Sequence, residues 1–437
     1  MNIAIVGSGI SGLAAAWLLS KRHEVTLFEA DDRVGGHSHT VDFDSIPVDT
    51  GFIVHNERTY PNLTALFGQL GIETQPSEMS FSASLRGGRL EYSGSGLAGL
   101  LAQPLNGVSP RFWSMLSDLR RFYRTAPGDV RGLGGISLED YLKLARYGAA
   151  FREDHLYPMA AAIWSTPALQ VREYPAAAFI RFFENHGLLS FSDRPVWKTV
   201  VGGSRAYVSR LIEPFAHRIL QRRPIVAVQR EDDRVELVDG AGRTTRFDHV
   251  VIASHANDAL AMLANPSSHE QKLLGAFRYT VNEAVLHQDP SLMPRRRSAW
   301  SSWNYLSDAS ETGQASVTYW MNRLQGIPET LPLFVTLNPF REPRKGTVIR
   351  RDIYTHPTYD VSAMSAQEHL WSLQGRQRTW FCGAYFDAGF HEDGLQAGLA
   401  VAEALGGVLR PWRVEKQSGR IKTADALEPI LIGSVAS

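Results

Sequence analysis

The chain has 437 residues, 44% hydrophobic and 21% charged, with Lys+Arg and Asp+Glu both at 45. That composition excludes a disordered chain and gives room for two or three domains with real cores. A formal net charge of zero offers nucleic acid no basic face, and the single cysteine, Cys382, excludes an internal disulfide framework and points to a reducing compartment.

The opening thirty residues organise the rest. Ile3-Ala4-Ile5-Val6 reads as a buried strand, Gly7-Ser8-Gly9-Ile10-Ser11-Gly12 as a glycine-rich turn, and Leu13 to Leu19 as a helix. A second strand, Val25 to Phe28, ends on Glu29 and Ala30. Strand, turn, helix, strand and acid together form the dinucleotide fingerprint. Gly7 makes the tight turn, Gly9 lets a pyrophosphate approach the backbone, and Gly12 packs helix on sheet. The helix N-terminus supplies free N–H groups to the anion. Glu29 accepts from ribose hydroxyls and disfavours a 2′-phosphate.

Arg33-Val34-Gly35-Gly36-His37 and Val48-Asp49-Thr50-Gly51-Phe52 follow. Here the chain resembles the flavin-dependent amine oxidase superfamily, with its monoamine and polyamine oxidases, protoporphyrinogen oxidase and phytoene desaturases. The resemblance implies an α/β fold: a Rossmann-like FAD-binding domain whose parallel sheet is discontinuous in sequence, with an inserted mixed α+β substrate domain. It lays Gly35 and Gly36 along the FAD pyrophosphate and ribityl chain. His37 stands where the family usually has Arg.

Leu63, Leu66, Phe67 and Leu70 keep helical spacing and Gly71 closes that helix; His55 just before it reads as a packed or capping residue. Residues 80–93 read as a hairpin. Residues 110–126 form an amphipathic helix with aromatic and basic faces, either packed on the substrate domain or lying on anionic lipid. Ser137 caps a further helix. The stretches 156–166 and 179–186 carry enough aromatic and apolar groups to wall a substrate cavity, or simply to fill a helical core. Trp197 to Ser204 marks the return to the nucleotide domain, and the resemblance places the Val226 backbone against adenine and Ala253 at a strand end near the cofactor. The expected domain pieces are 1–60, 196–268 and 375–437 for FAD, and 61–195 and 269–374 for substrate.

Many amine oxidases carry a lysine on the strand corresponding to 279–292. No lysine occurs there; Asn282 and Glu283 lie near its place. The basic cluster Met293 to Arg297 reads as a solvated loop, or as a grip on phosphate head groups. Near the end, Thr379 to Tyr385 and His391 to Ala400 copy the superfamily's closing motif in layout. That layout brings Gly383 to the cofactor and starts a helix near Asp393, Gly394 and Leu395, whose N–H groups face flavin N1 and O2. Ala384 and Tyr385 occupy the place of the family's acid, and His391 that of an aromatic-cage tyrosine. The family's flavin-linking cysteine has no counterpart, so FAD is expected to be non-covalent.

The resulting expectation is an FAD-dependent oxidase or desaturase. Flavin N5 takes a hydride from an apolar substrate, such as a lipid acyl chain, and O2 or a quinone reoxidises it. His391, Glu392 and Tyr385 are the candidate catalytic groups, with His391 the expected base. The nearest subgroup is a set of bacterial FAD-binding oxidoreductases associated with cyclopropane-fatty-acid-synthase-like proteins, which implies lipid chemistry by analogy. Amine oxidation, flavin-dependent isomerisation and a non-enzymatic binding role are the alternatives. No metal is expected. The chain opens on strand residues rather than a leader, so a cytoplasmic location is expected, with peripheral contact at the inner membrane as the variant.

Overall fold

The computed structural model describes residues 1–164, 167–190, 194–309, 314–415 and 417–423. Ser165 and Thr166 of the apolar stretch, and the tail beyond 423, lie outside the described residues. The first layer is a five-stranded parallel sheet, ordered Ile219–Leu220, Glu24–Phe28, Asn2–Val6, His249–Ile252, Thr379–Phe381. Three distant stretches of chain therefore build one sheet. Its central strand is apolar because helices cover it, as parallel sheets require.

The helix Ile10–Leu19 is buried along its whole length. It packs between that sheet and the closing helix His391–Gly406. Two glycines on the closing helix set the spacing. A Cβ at Gly398 would stand 2.1 Å from Ser11 O, and one at Gly394 2.9 Å from Ile10 Cγ2. The two helix N-termini are thus held against each other.

The second layer is a seven-stranded mixed sheet, ordered Val348–Thr358, Arg278–His287, Phe334–Leu337, Ala315–Trp320, Trp303–Ser307, Phe81–Leu85, Leu90–Ser93. The 80–93 hairpin is its edge. A separate antiparallel sheet, Ile225–Arg230, Val235–Asp239 and Thr244–Phe247, stands off the first. Helices predominate among the described residues between 96 and 185. The longest, Pro110–Asp129, is capped by Ser109 and buries Phe112, Met115, Leu119 and Phe122. Ser137 accepts from Asp140 N–H and caps Leu138–Leu144. The basic cluster is engaged internally: Arg296 pairs with buried Glu91, and Arg297 lies 3.9 Å over Trp300. Among the described residues no helix is long and apolar enough to cross a membrane, and no cluster of His, Cys, Asp and Glu could hold a metal.

Candidate active site

The glycine turn sorts its glycines by what they touch. Gly7 has φ +101°, and a Cβ there would stand 2.9 Å from Ala253 O. A Cβ at Gly12 would stand 2.0 Å from Gly7 O. Both are required by the fold, and Ala253, which donates to Val6 O, is part of that packing. Gly9 is different. Its φ of −64° and ψ of 173° suit any residue, and an added Cβ would meet nothing within 4 Å. Nothing in the protein demands glycine there.

The second turn docks on the first. Gly35 N–H donates to Ser8 O and Ser8 Oγ, and a Cβ on Gly36 would stand 3.0 Å from Gly9 Cα. Glu29 accepts from Ser8 N–H at 2.9 Å and from Ser8 Oγ, and its other oxygen accepts from Asp31 N–H. Ala30 is exposed beside it. The N–H groups of Ile10, Ser11 and Gly12 begin a helix and have no intrahelical partner. Arg33 adds a buried Nη1 with no hydrogen-bond partner. The trough therefore offers open space, free backbone donors and an unpaired guanidinium. Those are the requirements of a dinucleotide pyrophosphate, so FAD fits the residues present. Val226 sits at a bulge where strand Ile225–Arg230 loses register with its neighbour, and its side chain is exposed.

Beyond the turn, His37 accepts from Phe52 N–H at 2.7 Å, and a Cβ on Gly51 would lie 2.2 Å from His37 O. The His37 ring stands 5.0 Å from Tyr354, 5.3 Å from His356 and 6.5 Å from His255. Its Nε2 is buried without a partner, and burial lowers its pKa well below the ordinary histidine value. Ser38 and Tyr207, which sequence reasoning missed, form a hydroxyl pair, and Tyr207 lies 2.6 Å from His391 Nε2. Segments this far apart share no local signal.

The three expected catalytic groups are each engaged by neighbours in the protein. His391 stacks on Phe52 with centroids 3.9 Å apart, and burial lowers its pKa to about 3. Burial thus favours the neutral ring near pH 7. Glu392 is wholly buried, and accepts from Asn62 N–H, Asn62 Nδ2, Leu63 N–H and Gln396 Nε2. It caps the neighbouring helix Pro61–Leu70, whose orphan N–H groups need an acceptor. Tyr385 points into the core: its ring packs on Phe277 and Phe386, and a Cβ on Gly383 would strike it at 2.4 Å. Asp393 and Gly394 also differ from expectation. Their N–H groups already donate to Phe390 O, so the free donors of the closing helix are those of His391 and Glu392. The Asp393 carboxylate accepts from Phe390 N–H and pairs with Arg420 at 2.6 Å, and Leu395 is buried in the helix interface.

Glu392→Ala leaves several buried donors unsatisfied and is expected to destabilise the protein by about 3 kcal/mol in urea titration. The flavin-to-protein ratio of the material that stays folded is expected to hold. A loss of flavin without a loss of stability would return Glu392 to the binding site.

Residues 10–288 match the family model described as flavin containing amine oxidoreductase. A Mycobacterium tuberculosis protein that carries the name flavin-containing monoamine oxidase AofH is 26% identical over 350 residues, covering 77% of this chain and 70% of its own. The solved cyclohexylamine oxidase from Brevibacterium oxydans superposes with a TM-score of 0.69 at 18% identity, over 93% of this chain and 98% of that one. A fatty acid isomerase from P. acnes that produces CLA superposes at 0.64 and 15% identity, over 92% and 97%.

Proposed function

The chain belongs to the flavin containing amine oxidoreductase family and is an FAD-dependent oxidoreductase, and from that premise we propose that it oxidises an apolar substrate carrying an acyl chain. FAD bound in the trough supplies an acceptor for the hydride that leaves a substrate C–H bond, and O2 or a quinone then takes the electrons.

The observation that carries this reading is the state of the groups beside the trough. His37, His255, His356 and His391 are all held toward the neutral form by burial. Glu392 and Asp393 are engaged in capping and in the Arg420 pair. Neither carboxylate is left to hold an ammonium ion. Next to His391, Phe390 stacks on Phe182 at 5.0 Å, and Trp164 lies tilted against Phe182 at 4.5 Å. Such a wall suits hydrocarbon and excludes water. The free N–H groups at the start of the closing helix favour the negative charge that reduction brings.

The test is the visible spectrum of anaerobic holoenzyme titrated with oleate-containing phospholipid or with primary amines and polyamines. Bleaching by the lipid alone supports the reading. Bleaching by an amine alone assigns amine oxidation instead.

The source of an acyl substrate is a membrane, and one face suits it. Leu97, Leu105, Val108 and Trp113 are between 54% and 77% exposed. Arg89, with Arg86 and Arg111 that both pair with buried Asp154, lines an adjacent cavity of about 230 Å3. Apolar groups rimmed by arginine fit an anionic bilayer surface. Leu105→Glu with Val108→Glu is expected to weaken sedimentation with phosphatidylglycerol vesicles at least tenfold, about 1.4 kcal/mol. Equal sedimentation of both proteins would remove the membrane from the reading.

A further inference from the structure

We propose that His356 is a hydrogen-bond donor locked in one tautomer by Asn338 and Asn282, and that it presents its Nε2–H to the bound flavin. The proposal rests on the cofactor reading above for its second half only.

One group in this cluster has a fixed role. The backbone N–H of Glu283 can only donate, and it donates to Asn338 Oδ1 at 3.0 Å. That settles which end of the Asn338 amide is oxygen. Asn338 is itself held there: its φ is +48°, and its N–H returns to Glu283 O at 2.8 Å. The amide nitrogen of Asn338 must then face the other way, and it donates to Asn282 Oδ1 at 2.7 Å. Asn282 is buried, so its nitrogen end is settled in turn. That end lies 2.9 Å from His356 Nδ1 and 3.4 Å from Thr280 O, a carbonyl that can only accept.

Nδ1 of His356 is therefore an acceptor and carries no proton. The single ring proton sits on Nε2. Moving it to Nδ1 would set donor against donor at Asn282, and turning Asn282 over would do the same at Asn338. Burial agrees, lowering the His356 pKa to about 4.

Placement gives the donor its use. His356 lies on strand Val348–Thr358, at the edge of the seven-stranded sheet, paired directly with Thr280 of strand Arg278–His287. Its ring stands against His37, the residue after the two trough glycines. His255, at the end of the nucleotide-domain strand, is held on the same side by Thr355 Oγ1 and by stacking on Tyr279. The substrate sheet thus brings the His356 ring to the cleft beside His37. An N–H donor of fixed direction stabilises the charge that reduction places on the flavin ring. Asn282 and Asn338 are positioning residues that act through His356.

One atom swap far from the ring tests this. Asn338→Asp keeps the oxygen that accepts from Glu283 N–H and removes the nitrogen that donates to Asn282. The Asn282 amide must then turn over, present oxygen to His356, and move the proton to Nδ1. Asn338 is exposed, and Asp tolerates positive φ, so the fold is kept. The readout is 15N histidine NMR of the full-length holoenzyme, with His356→Gln identifying the signals. The Nε2–H pattern is expected in the parent and the Nδ1–H pattern in Asn338→Asp, with a lower flavin midpoint potential in the variant. An Nδ1–H or averaged pattern in the parent overturns the relay. A switched tautomer with an unchanged potential overturns the donation to flavin. The tautomer pattern is readable with or without flavin, so protein that retains no flavin disproves the cofactor reading and leaves the relay to be judged by its own signals.

Discussion

Gly9→Ala yields a folded protein that no longer retains flavin. Alanine meets nothing within 4 Å at this position, and the backbone angles there suit it. The helix it precedes loses little, within about 1 kcal/mol for alanine in place of glycine before a first turn. The added methyl instead stands in the open trough where the pyrophosphate approaches. The expected loss of FAD affinity is at least 100-fold, about 2.7 kcal/mol. Gly12→Ala gives the opposite pattern, because its Cβ would lie 2.0 Å from Gly7 O and the fold itself must yield. Flavin absorbance per mole of protein after gel filtration, set beside a urea titration of each apoprotein, separates the two. A Gly9→Ala protein with full flavin content would mean that the trough holds something else.

Acidification from pH 7 to pH 5 is expected to destabilise the apoprotein through its buried histidines. Burial lowers the pKa of His55, His155 and His287 to about 4 and of His186 to about 3. In the unfolded chain each titrates near 6.5. Below that pH the unfolded state binds more protons, so native stability falls as pH falls. At pH 5 each of the four costs about 2 kcal/mol, about 8 kcal/mol together. Two buried carboxyls act in the opposite sense. Burial raises Asp387 to about 8 and Asp49 to about 6. The native state then holds protons that the unfolded state has released, and lowering the pH from 7 to 5 returns about 4 kcal/mol. These six groups give a net loss of about 4 kcal/mol, and buried His39, His356 and His391 act in the same sense; that is a large part of the 5–15 kcal/mol that holds a typical protein folded. Urea midpoints at pH 7 and pH 5 measure it directly. His287→Asn, which keeps a polar group beside Thr336, should remove about a quarter of the contribution of the first four histidines. Identical midpoints at the two pH values would show that these rings are hydrated in solution.

The sequence carried the parts of the site that are local. The glycine turn, the acid after the second strand and the closing helix each follow from neighbours in the chain. The same holds for the 80–93 hairpin and the Ser137 cap. What escaped was every role decided by a partner from elsewhere. Glu392 looks like a free acid beside the flavin until Asn62 and Leu63, contributed by a different helix, occupy it. Tyr385 looks like a flavin contact until its ring turns beneath Gly383. The weak basicity of His391 belongs to its burial against Phe52 and Tyr207, not to its place in a motif. The His356 relay uses side chains from two strands and from the bend after a third, and has no linear pattern at all.

The threefold origin of the parallel sheet has a consequence during synthesis. Strand Asn2–Val6 is followed after a short connection by one partner, Glu24–Phe28, but its other partner is His249–Ile252. That partner in turn needs Thr379–Phe381 at its far edge. A central apolar strand therefore waits with an open edge while most of the polypeptide is made. Long-range parallel pairing is slow to form, and an unpaired apolar edge invites association with other chains. Until Thr379–Phe381 is in place, that edge is the part of the chain most exposed to association.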